Sequence, residues 1–114
     1  MAVELTVITL AHDLLVWTLN HTAKFPRSHR HGLGMRLEEV NHLLLDLLVE
    51  AKFTTDKAEI LRQASLAAER LRWQFRAAKD VNVLPYKSHE FASRQLQEIG
   101  KQLGGWRRST EGRK

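Results

Sequence analysis

The chain has 114 residues, a length that suits a single domain, and 18 Lys and Arg against 13 Asp and Glu give it a net charge of +5. It has no cysteine, which excludes disulfide bonds, thiolate metal sites and thiol nucleophiles and fits a cytoplasmic protein. The apolar N-terminal run is interrupted by Glu4, His12 and Asp13 and falls short of the ~18 apolar residues of a membrane span, so we expect neither a signal peptide nor a membrane helix.

Four segments have helical periodicity, separated by turn signals. The first covers about residues 5–24 and is closed by Phe25-Pro26. The second covers roughly residues 27–52. The third opens after Thr54-Thr55-Asp56, where a Thr or Asp side chain is expected to cap the first N–H groups. The fourth begins near Pro85, and Gly104-Gly105 is expected to end it.

Helices two, three and four each have one apolar seam with steps of three and four residues. The seams are Leu33, Leu37, Val40, Leu44, Leu47 and Ala51; Leu61, Ala64, Ala68, Leu71, Phe75 and Ala78; and Ala92, Leu96, Ile99, Leu103 and Trp106. Such seams and short connections predict an all-α fold, an up-down-up-down four-helix bundle. We expect the bundle to span residues 1–106, and residues 107–114 to form a basic flexible tail.

Helix one is apolar on two opposite sides. The side taken as inward has Leu5, Ile8, Leu15 and Leu19, and the opposite side has Val3, Leu10, Leu14 and Trp17. A helix that is apolar all round must be covered on both sides. We therefore predict that Leu10, Leu14 and Trp17 contact another subunit of a homo-oligomer; the alternative is a helix that is kinked or wrongly phased, with both sides in the core. His12 is expected inside, as a hydrogen-bonded core histidine.

The sequence contains no constellation typical of an enzyme or a metal site. Glu39 and His42 have the Glu-x-x-His spacing of di-iron bundles, but such a site needs two of these motifs, and both residues fall on the outward side of helix two. His29 and His31 lie in a basic loop that could contact phosphate, although a solvated turn is the more usual interpretation. We expect no catalytic residues, no metal and no cofactor.

One exposed arc of helix three combines arginines with a tryptophan. Its members are Arg62, Leu66, Glu69, Arg70, Trp73 and Arg76, and Arg72 and Lys79 extend the positive stripe towards the seam. This pattern is typical of single-stranded nucleic-acid binders, suits a protein interface equally well, and also fits arginine stems packed on a surface tryptophan. The predicted tail adds Arg107, Arg108, Arg113 and Lys114.

Several strings resemble the Avd family, the accessory variability determinant proteins of diversity-generating retroelements. They are Phe25-Pro26-Arg27-Ser28, Leu33-Gly34-Met35-Arg36, Glu50-Ala51-Lys52-Phe53, Leu71-Arg72, Arg76-Ala77-Ala78-Lys79-Asp80 and the run from Glu98 to Trp106. In order and spacing the resemblance covers residues 25–106. Phe53 and Lys101 are conservative departures, and Trp73-Gln74-Phe75 replaces a more aliphatic stretch.

The resemblance implies a four-helix bundle assembled as a positively charged homopentameric barrel. It also implies a non-enzymatic protein that binds a reverse transcriptase and its template RNA and is required for mutagenic cDNA synthesis. One alternative is the four-helix-bundle protein encoded in intervening sequences of large-subunit ribosomal RNA genes, although residues 43–50 lack the helix-two segment of that family. The other is a stand-alone RNA chaperone with no polymerase partner.

Overall fold

The computed structural model describes residues 3–111 of the chain, with side chains from Leu5 onward. Within that range there is no strand, and the prediction of an all-α fold is confirmed. Four long helices follow one another: α1 (Val3–Thr22), α2 (Met35–Lys52), α3 (Ala58–Asp80) and α4 (Tyr86–Glu111). Each helix packs against the next, and α4 returns to α1, so the four enclose one core in a body of 49 × 22 × 21 Å. No helix in the described part is both long and apolar enough to span a membrane.

The core consists mainly of the predicted seams of α2, α3 and α4. Every seam residue except Leu33, which is half-buried, is buried, including Phe75 in the C-terminal half of α3 and Trp106 near the end of α4. These three seams stand out in sequence because charged residues occupy the opposite side of each helix. Burial of the apolar side chains therefore sets the orientation of all three helices about their axes.

A junction of residues 27–34 connects α1 to α2 and remains helical throughout. It consists of one α-helical turn, Arg27–His29, and one wider π-helical turn, Arg30–Gly34, which runs directly into Met35. The Arg30 guanidinium donates to the carbonyl oxygens of Ala23 (3.2 Å) and Phe25 (3.5 Å), which lie just beyond the end of α1. The predicted start of the second helical segment near Arg27 is confirmed.

The predicted cap of α3 is wrong. The residue preceding the helix is Lys57, and no side chain caps the first turn. Lys57 instead closes the previous helix, because its ammonium group donates to the carbonyl oxygens of Ala51 (2.7 Å) and Thr54 (2.6 Å). A cation placed on C-terminal carbonyls is favourable because these acceptors have no partner within the helix.

The predicted stop at Gly104-Gly105 is also wrong. Both glycines are helical, neither has a positive φ, and α4 continues to Glu111. Trp106 is buried beyond the glycine pair, and its burial supplies the reason for the helix to continue. Arg107 and Arg108 therefore lie on α4 and not in a flexible tail, whereas Arg113 and Lys114 lie outside the described residues.

The predicted orientation of α1 is wrong in part. Leu15, expected inside, is buried, but Leu14, expected on the outward side, is only 1% exposed, and Leu5 and Leu19, expected inside, are 42% and 39% exposed. Leu10 and Trp17 are half-buried and pack against the core of their own subunit; the side chain of Val3 lies outside the described residues. His12, expected in the core, is exposed and lies 3.1 Å from the carboxylate of Asp13.

Two threonines explain why the orientation of α1 was mispredicted. Thr18 and Thr22 lie on the buried side of α1 with Leu14. Because threonine is less hydrophobic than leucine, a prediction from hydrophobicity alone does not assign this side to the core. The Thr18 hydroxyl donates to the Leu14 carbonyl oxygen at 2.8 Å, and the Thr22 hydroxyl donates to the Glu38 carboxylate of α2. Both hydroxyls are therefore satisfied inside the protein, which removes the penalty for burying them.

Candidate binding surfaces

The predicted arc of α3 lies on the surface, as its position outside the seam requires. Trp73 is 60% exposed, and the Arg76 guanidinium lies 5.6 Å from the centre of its ring. This is a cation–π distance, and the contact covers only part of the indole. Arg62, Leu66 and Arg70 are also exposed, so the arc presents a large aromatic side chain between arginines and a leucine.

The positive charge of the arc is largely compensated by carboxylates of the same helix. Four of the five α3 cations lie within 4 Å of a carboxylate oxygen: Arg62 with Glu59 (2.8 Å), Arg72 with Glu69 (3.5 Å), and Arg76 and Lys79 with Asp80 (3.7 and 3.6 Å). Arg70 has no such carboxylate among the described residues. Each pair is exposed and weak, but a phosphate that approaches these cations also meets the carboxylates. The arc is therefore less cationic than its arginines alone suggest.

Glu59, one of these carboxylates, has a lowered pKa because three hydrogen bonds stabilise its charged form. Arg62 donates to its two oxygens at 2.9 and 2.8 Å, and Gln63 donates at 3.0 Å. These hydrogen bonds, the one from Arg62 first, lower the pKa of Glu59 from 4.5 to about 2. The carboxylate thus stays ionised throughout the physiological pH range, and Arg62 keeps its counter-charge.

A surface cleft of about 240 Å³ lies between α3 and α4 beside Trp73. It is lined by Glu69, Arg72, Trp73, Arg76, His89 and Ser93. The Arg72 side chain extends towards α4, and its guanidinium donates to the Leu96 carbonyl oxygen at 3.3 Å. This hydrogen bond joins the two helices. The pKa of His89 is lowered by burial first and then by the charges of Lys79 and Arg76, while Asp80 opposes the shift.

The two α4 arginines that were predicted in the tail have fixed positions. Arg107 is half-buried and lies 3.5 Å from the Ser65 hydroxyl of α3, and the Arg108 guanidinium lies along Gly104. Both are at the end of the bundle where α3 begins. A cleft of about 330 Å³ there includes Arg107 and Arg62 but also Asp56, Glu59 and Glu111, so its charge is mixed.

A second cationic region surrounds the α1–α2 junction. Between Asp13 and Glu38 the chain has no carboxylate side chain, and it has four cations: Lys24, Arg27, Arg30 and Arg36. All four are exposed. The sequence predicted a basic loop here that could contact phosphate, with a solvated turn as the more usual interpretation; the further signal is the long interval without any acidic residue.

An apolar strip runs along the outside of the α1–α2 pair. Contacts from Thr18 to Asn41 and from Thr22 to Glu38 show which sides of the two helices adjoin. At 100° per residue, the outer surface next to this seam has Leu5, Val16 and Leu19 from α1 and Val49 from α2, each 39–43% exposed, with Ile8 and Leu45 half-buried between them. We call these six residues the apolar strip. Contiguous exposed apolar patches are typical of interaction surfaces, so the strip is a candidate for one.

The described residues contain no group of three or more His, Asp or Glu side chains that could hold a metal ion. Glu39 and His42 are exposed, as predicted. The cavities named above are open clefts with charged rims.

Comparison with known proteins identifies the family. The family model described as bAvd-like matches residues 6–110, an interval that includes most of α1, all of α2 and α3, and almost all of α4. No curated protein and no solved structure gave a significant match. The matched interval covers nearly the whole bundle, and its four-helix architecture is the one that the resemblance implied. The chain belongs to the bAvd-like family.

Proposed function

We propose that this protein is a non-enzymatic accessory subunit of a diversity-generating retroelement. In this role it binds the reverse transcriptase and the template RNA in the cytoplasm and supports mutagenic cDNA synthesis, the step that leads to mutagenic retrohoming. The observation that carries the proposal is the family match over residues 6–110. The surface supports it, because arginines, an exposed tryptophan and apolar side chains provide for binding.

The α3 arc is the surface best suited to the reverse transcriptase. Trp and Arg are the side chains most enriched among the residues that dominate protein interfaces, and Trp73 and Arg70 are both exposed here next to Leu66. The carboxylates paired with Arg62 and Arg76 can be matched by polar groups on a protein partner, whereas a phosphate chain would meet repulsion. Arg72 and Lys79 lie on α3 at the edge of this surface, and Arg107 contacts Ser65 of the same helix. Arg108, next to Arg107 on α4, is exposed and adds a further cation.

The apolar strip is the surface best suited to self-association. We propose that the strip of each copy packs against a different surface of the next copy to form a homopentameric ring, because a ring requires a heterologous interface. This differs from the interface predicted from sequence, because Leu14 is buried within its own subunit and is unable to reach another one. Leu10 and Trp17 are only partly accessible and lie on the side of α1 that faces α4, where Trp17 contacts Phe91 at 5.2 Å between ring centres.

The test is co-purification with the reverse transcriptase encoded nearest to the protein, followed by cDNA synthesis on the cognate RNA with and without it. We expect a stable complex and cDNA that depends on the protein. Trp73→Ala should weaken the complex by at least about tenfold, since truncation of such an anchor typically costs 2 kcal/mol or more. Phe53→Ala is the matched control, because Phe53 is exposed but lies at the end of α2.

If the two proteins do not associate, and cDNA yield and priming are unchanged by its omission, the accessory-subunit proposal is wrong. A stand-alone RNA chaperone then becomes the better explanation, provided that RNA binding is retained.

A further inference from the structure

We propose that the α1–α2 junction, and not the α3 arc, is the main phosphate-binding surface of this protein. Its contact residues are Lys24, Arg27 and Arg36, which we call the junction cations. The ligand is the sugar-phosphate backbone of a nucleic-acid strand. The proposal rests on the proposed function in naming that strand as template RNA and, for its fourth argument, in the proposed ring.

The first argument is the local charge. The interval from residue 14 to residue 37 has four cations and no carboxylate side chain, in a protein whose net charge is +5. The α3 helix has five cations, but its own Glu59, Glu69 and Asp80 reduce their sum to +2. Glu38 and Glu39 follow this interval, so four cations and two carboxylates give residues 14–39 a net charge of +2 as well. The two regions differ in spacing: no carboxylate lies within seven residues in sequence of Lys24, Arg27 or Arg30, whereas four of the five α3 cations lie within 4 Å of one. A phosphate within a Debye length of about 8 Å responds to all nearby charges, so it meets less repulsion at these junction residues.

The second argument is the availability of the side chains. The junction cations are exposed and have no carboxylate within ion-pair distance among residues 3–111. Glu38, the first carboxylate after the junction, is half-buried and accepts the hydrogen bond of Thr22. Arg30 differs because it is bound to carbonyl oxygens of Ala23 and Phe25. Its role is to hold the junction in place, and it also adds a positive charge there.

The third argument is rigidity. The junction is helical at every residue, and Gly34 packs closely at its end: a side chain there would lie 3.4 Å from the His29 carbonyl oxygen and 3.5 Å from the Phe25 ring. Arg27 is mounted on this fixed turn and Arg36 on the first turn of α2, and such cations lose less conformational entropy when they bind than cations on a mobile loop do. Lys24 lies in the turn between α1 and the junction. π-helical turns such as Arg30–Gly34 also occur frequently at functional sites.

The fourth argument is position. The junction lies at one end of the bundle, whereas the apolar strip runs along its side. In a closed ring built through that strip with the bundles parallel to the ring axis, symmetry places every junction at the same height, so one rim of the ring has a circle of junction cations. A strand that follows the rim contacts several junctions at once, and this multivalency raises its apparent affinity.

The experiment compares two triple variants that remove the same charge. One is Lys24→Gln, Arg27→Gln and Arg36→Gln; the other is Arg62→Gln, Arg70→Gln and Arg76→Gln. Arg30 is left unchanged because it contributes to the structure. Affinity for an unstructured RNA oligonucleotide is measured by fluorescence anisotropy over a salt series, with circular dichroism and native mass spectrometry to verify fold and assembly.

We expect the junction triple variant to reduce the slope of log affinity against log salt by about 2 per subunit in contact with the strand, because each lost phosphate contact removes about 0.7 for a single strand. The α3 triple variant should change the slope by less than about half as much. The charge-preserving variant Lys24→Arg, Arg27→Lys and Arg36→Lys should keep the wild-type slope. If the triple variant fails to fold, the single variants Lys24→Gln and Arg36→Gln should each reduce the slope by about 0.7.

The proposal is overturned if the α3 variant loses more slope than the junction variant, or if the junction variants bind RNA as the wild type does. A junction variant that keeps RNA binding but loses the reverse transcriptase would assign this surface to the protein partner instead, which also overturns it. Failure of the proposed function gives a different result: junction-dependent RNA binding would persist without any association with the reverse transcriptase.

Discussion

Asn41 of α2 donates a hydrogen bond from its side-chain amide to the Thr18 hydroxyl of α1, at 3.1 Å and inside the core. Both residues are at most 1% exposed, and the same Asn41 amide also donates to the Leu37 carbonyl oxygen at 3.0 Å. This buried polar contact brings the threonine side of α1 towards α2. It is the main feature of the fold that apolar periodicity does not reveal.

Substitutions at these two positions should have opposite effects on stability. Asn41 Oδ1 is buried and has no donor among the described residues, so Asn41→Leu removes a polar atom whose burial is costly and should raise the free energy of unfolding by about 1 kcal/mol. Thr18→Val keeps the shape of Thr18 but leaves the Asn41 amide without one acceptor, and it should lower the free energy of unfolding by about 1–3 kcal/mol. Urea denaturation at one fixed protein concentration measures both.

The double variant provides the control for this pair. Because the two side chains share one hydrogen bond, their effects should not be additive, and Asn41→Leu should relieve most of the cost of Thr18→Val. Additive effects would show that the hydrogen bond contributes little. A destabilised Asn41→Leu would show that Oδ1 is satisfied in solution.

The second prediction concerns the stability of α4 at Gly104-Gly105, which lie within the helix. Gly105 is helical, and an added Cβ would meet only the end of the Arg108 side chain, at 3.9 Å. Gly105→Ala should therefore raise the free energy of unfolding by about 0.5–1 kcal/mol, since alanine loses less backbone entropy. If the helix ended in a left-handed glycine cap, as its sequence suggests, the same substitution would destabilise the protein.

Asn82 is the control for Gly105→Ala, because its backbone has the positive φ that Gly105 lacks. It lies between α3 and α4 with a φ of 65°, in the left-handed region that asparagine tolerates better than most residues. Asn82→Ala should lower the free energy of unfolding by about 1 kcal/mol. Thermal unfolding of the two alanine variants would distinguish the two backbone conformations directly.

The pH dependence of His89 is a third prediction. Because burial and the charges of Lys79 and Arg76 lower its pKa below 6.5, the folded protein holds the neutral imidazole more strongly than the unfolded chain does. Its contribution to stability is complete above pH 6.5 and declines as the pH falls from there through the lowered pKa. His89→Gln should remove this part of the pH dependence of unfolding.

The neighbouring charges allow the cause to be separated by NMR titration of the His89 ring. Lys79→Gln should raise the pKa of His89, because a repelling charge is removed, and Asp80→Asn should lower it further, because an attracting one is removed. Equal midpoints in the wild type and both variants would show that burial alone controls the group.

The apolar strip provides the fourth prediction, on assembly. Val16 and Leu19 are 43% and 39% exposed, so the variant Val16→Glu with Leu19→Glu should fold normally and dissociate the proposed ring into monomers in native mass spectrometry. Leu14→Glu should instead prevent folding, because Leu14 is buried. Phe53→Glu is the control for added charge on an exposed apolar residue and should leave the ring intact. Assembly that survives Val16→Glu with Leu19→Glu would place the interface elsewhere.

The α2, α3 and α4 seams were predictable because each has charged residues opposite its apolar residues, which leaves one orientation that buries the apolar side. Helix α1 has apolar residues on both sides, and two buried threonines lie on the correct one. Its orientation depended on whether those hydroxyls find partners, and the partners, Asn41 and Glu38, belong to another helix. Similarly, the pair Gly104-Gly105 is typical of the end of a helix, but α4 continues through it because Trp106, directly after the pair, is buried in the core.

The candidate binding surfaces were also predictable from the sequence only in part. The arginines of α3 and their exposure follow from spacing along one helix, and so does the exposure of Trp73. Their neutralisation depends on which rotamers meet Glu59, Glu69 and Asp80. By itself, the sequence determined the helical class, three of the four apolar seams and the family resemblance, because these depend on residue order within a segment. Only the tertiary structure decided the orientation of α1, the end of α4 and the places where positive charge remains uncompensated, because each of these depends on contacts between side chains far apart in the chain or on the rotamers that exposed side chains adopt.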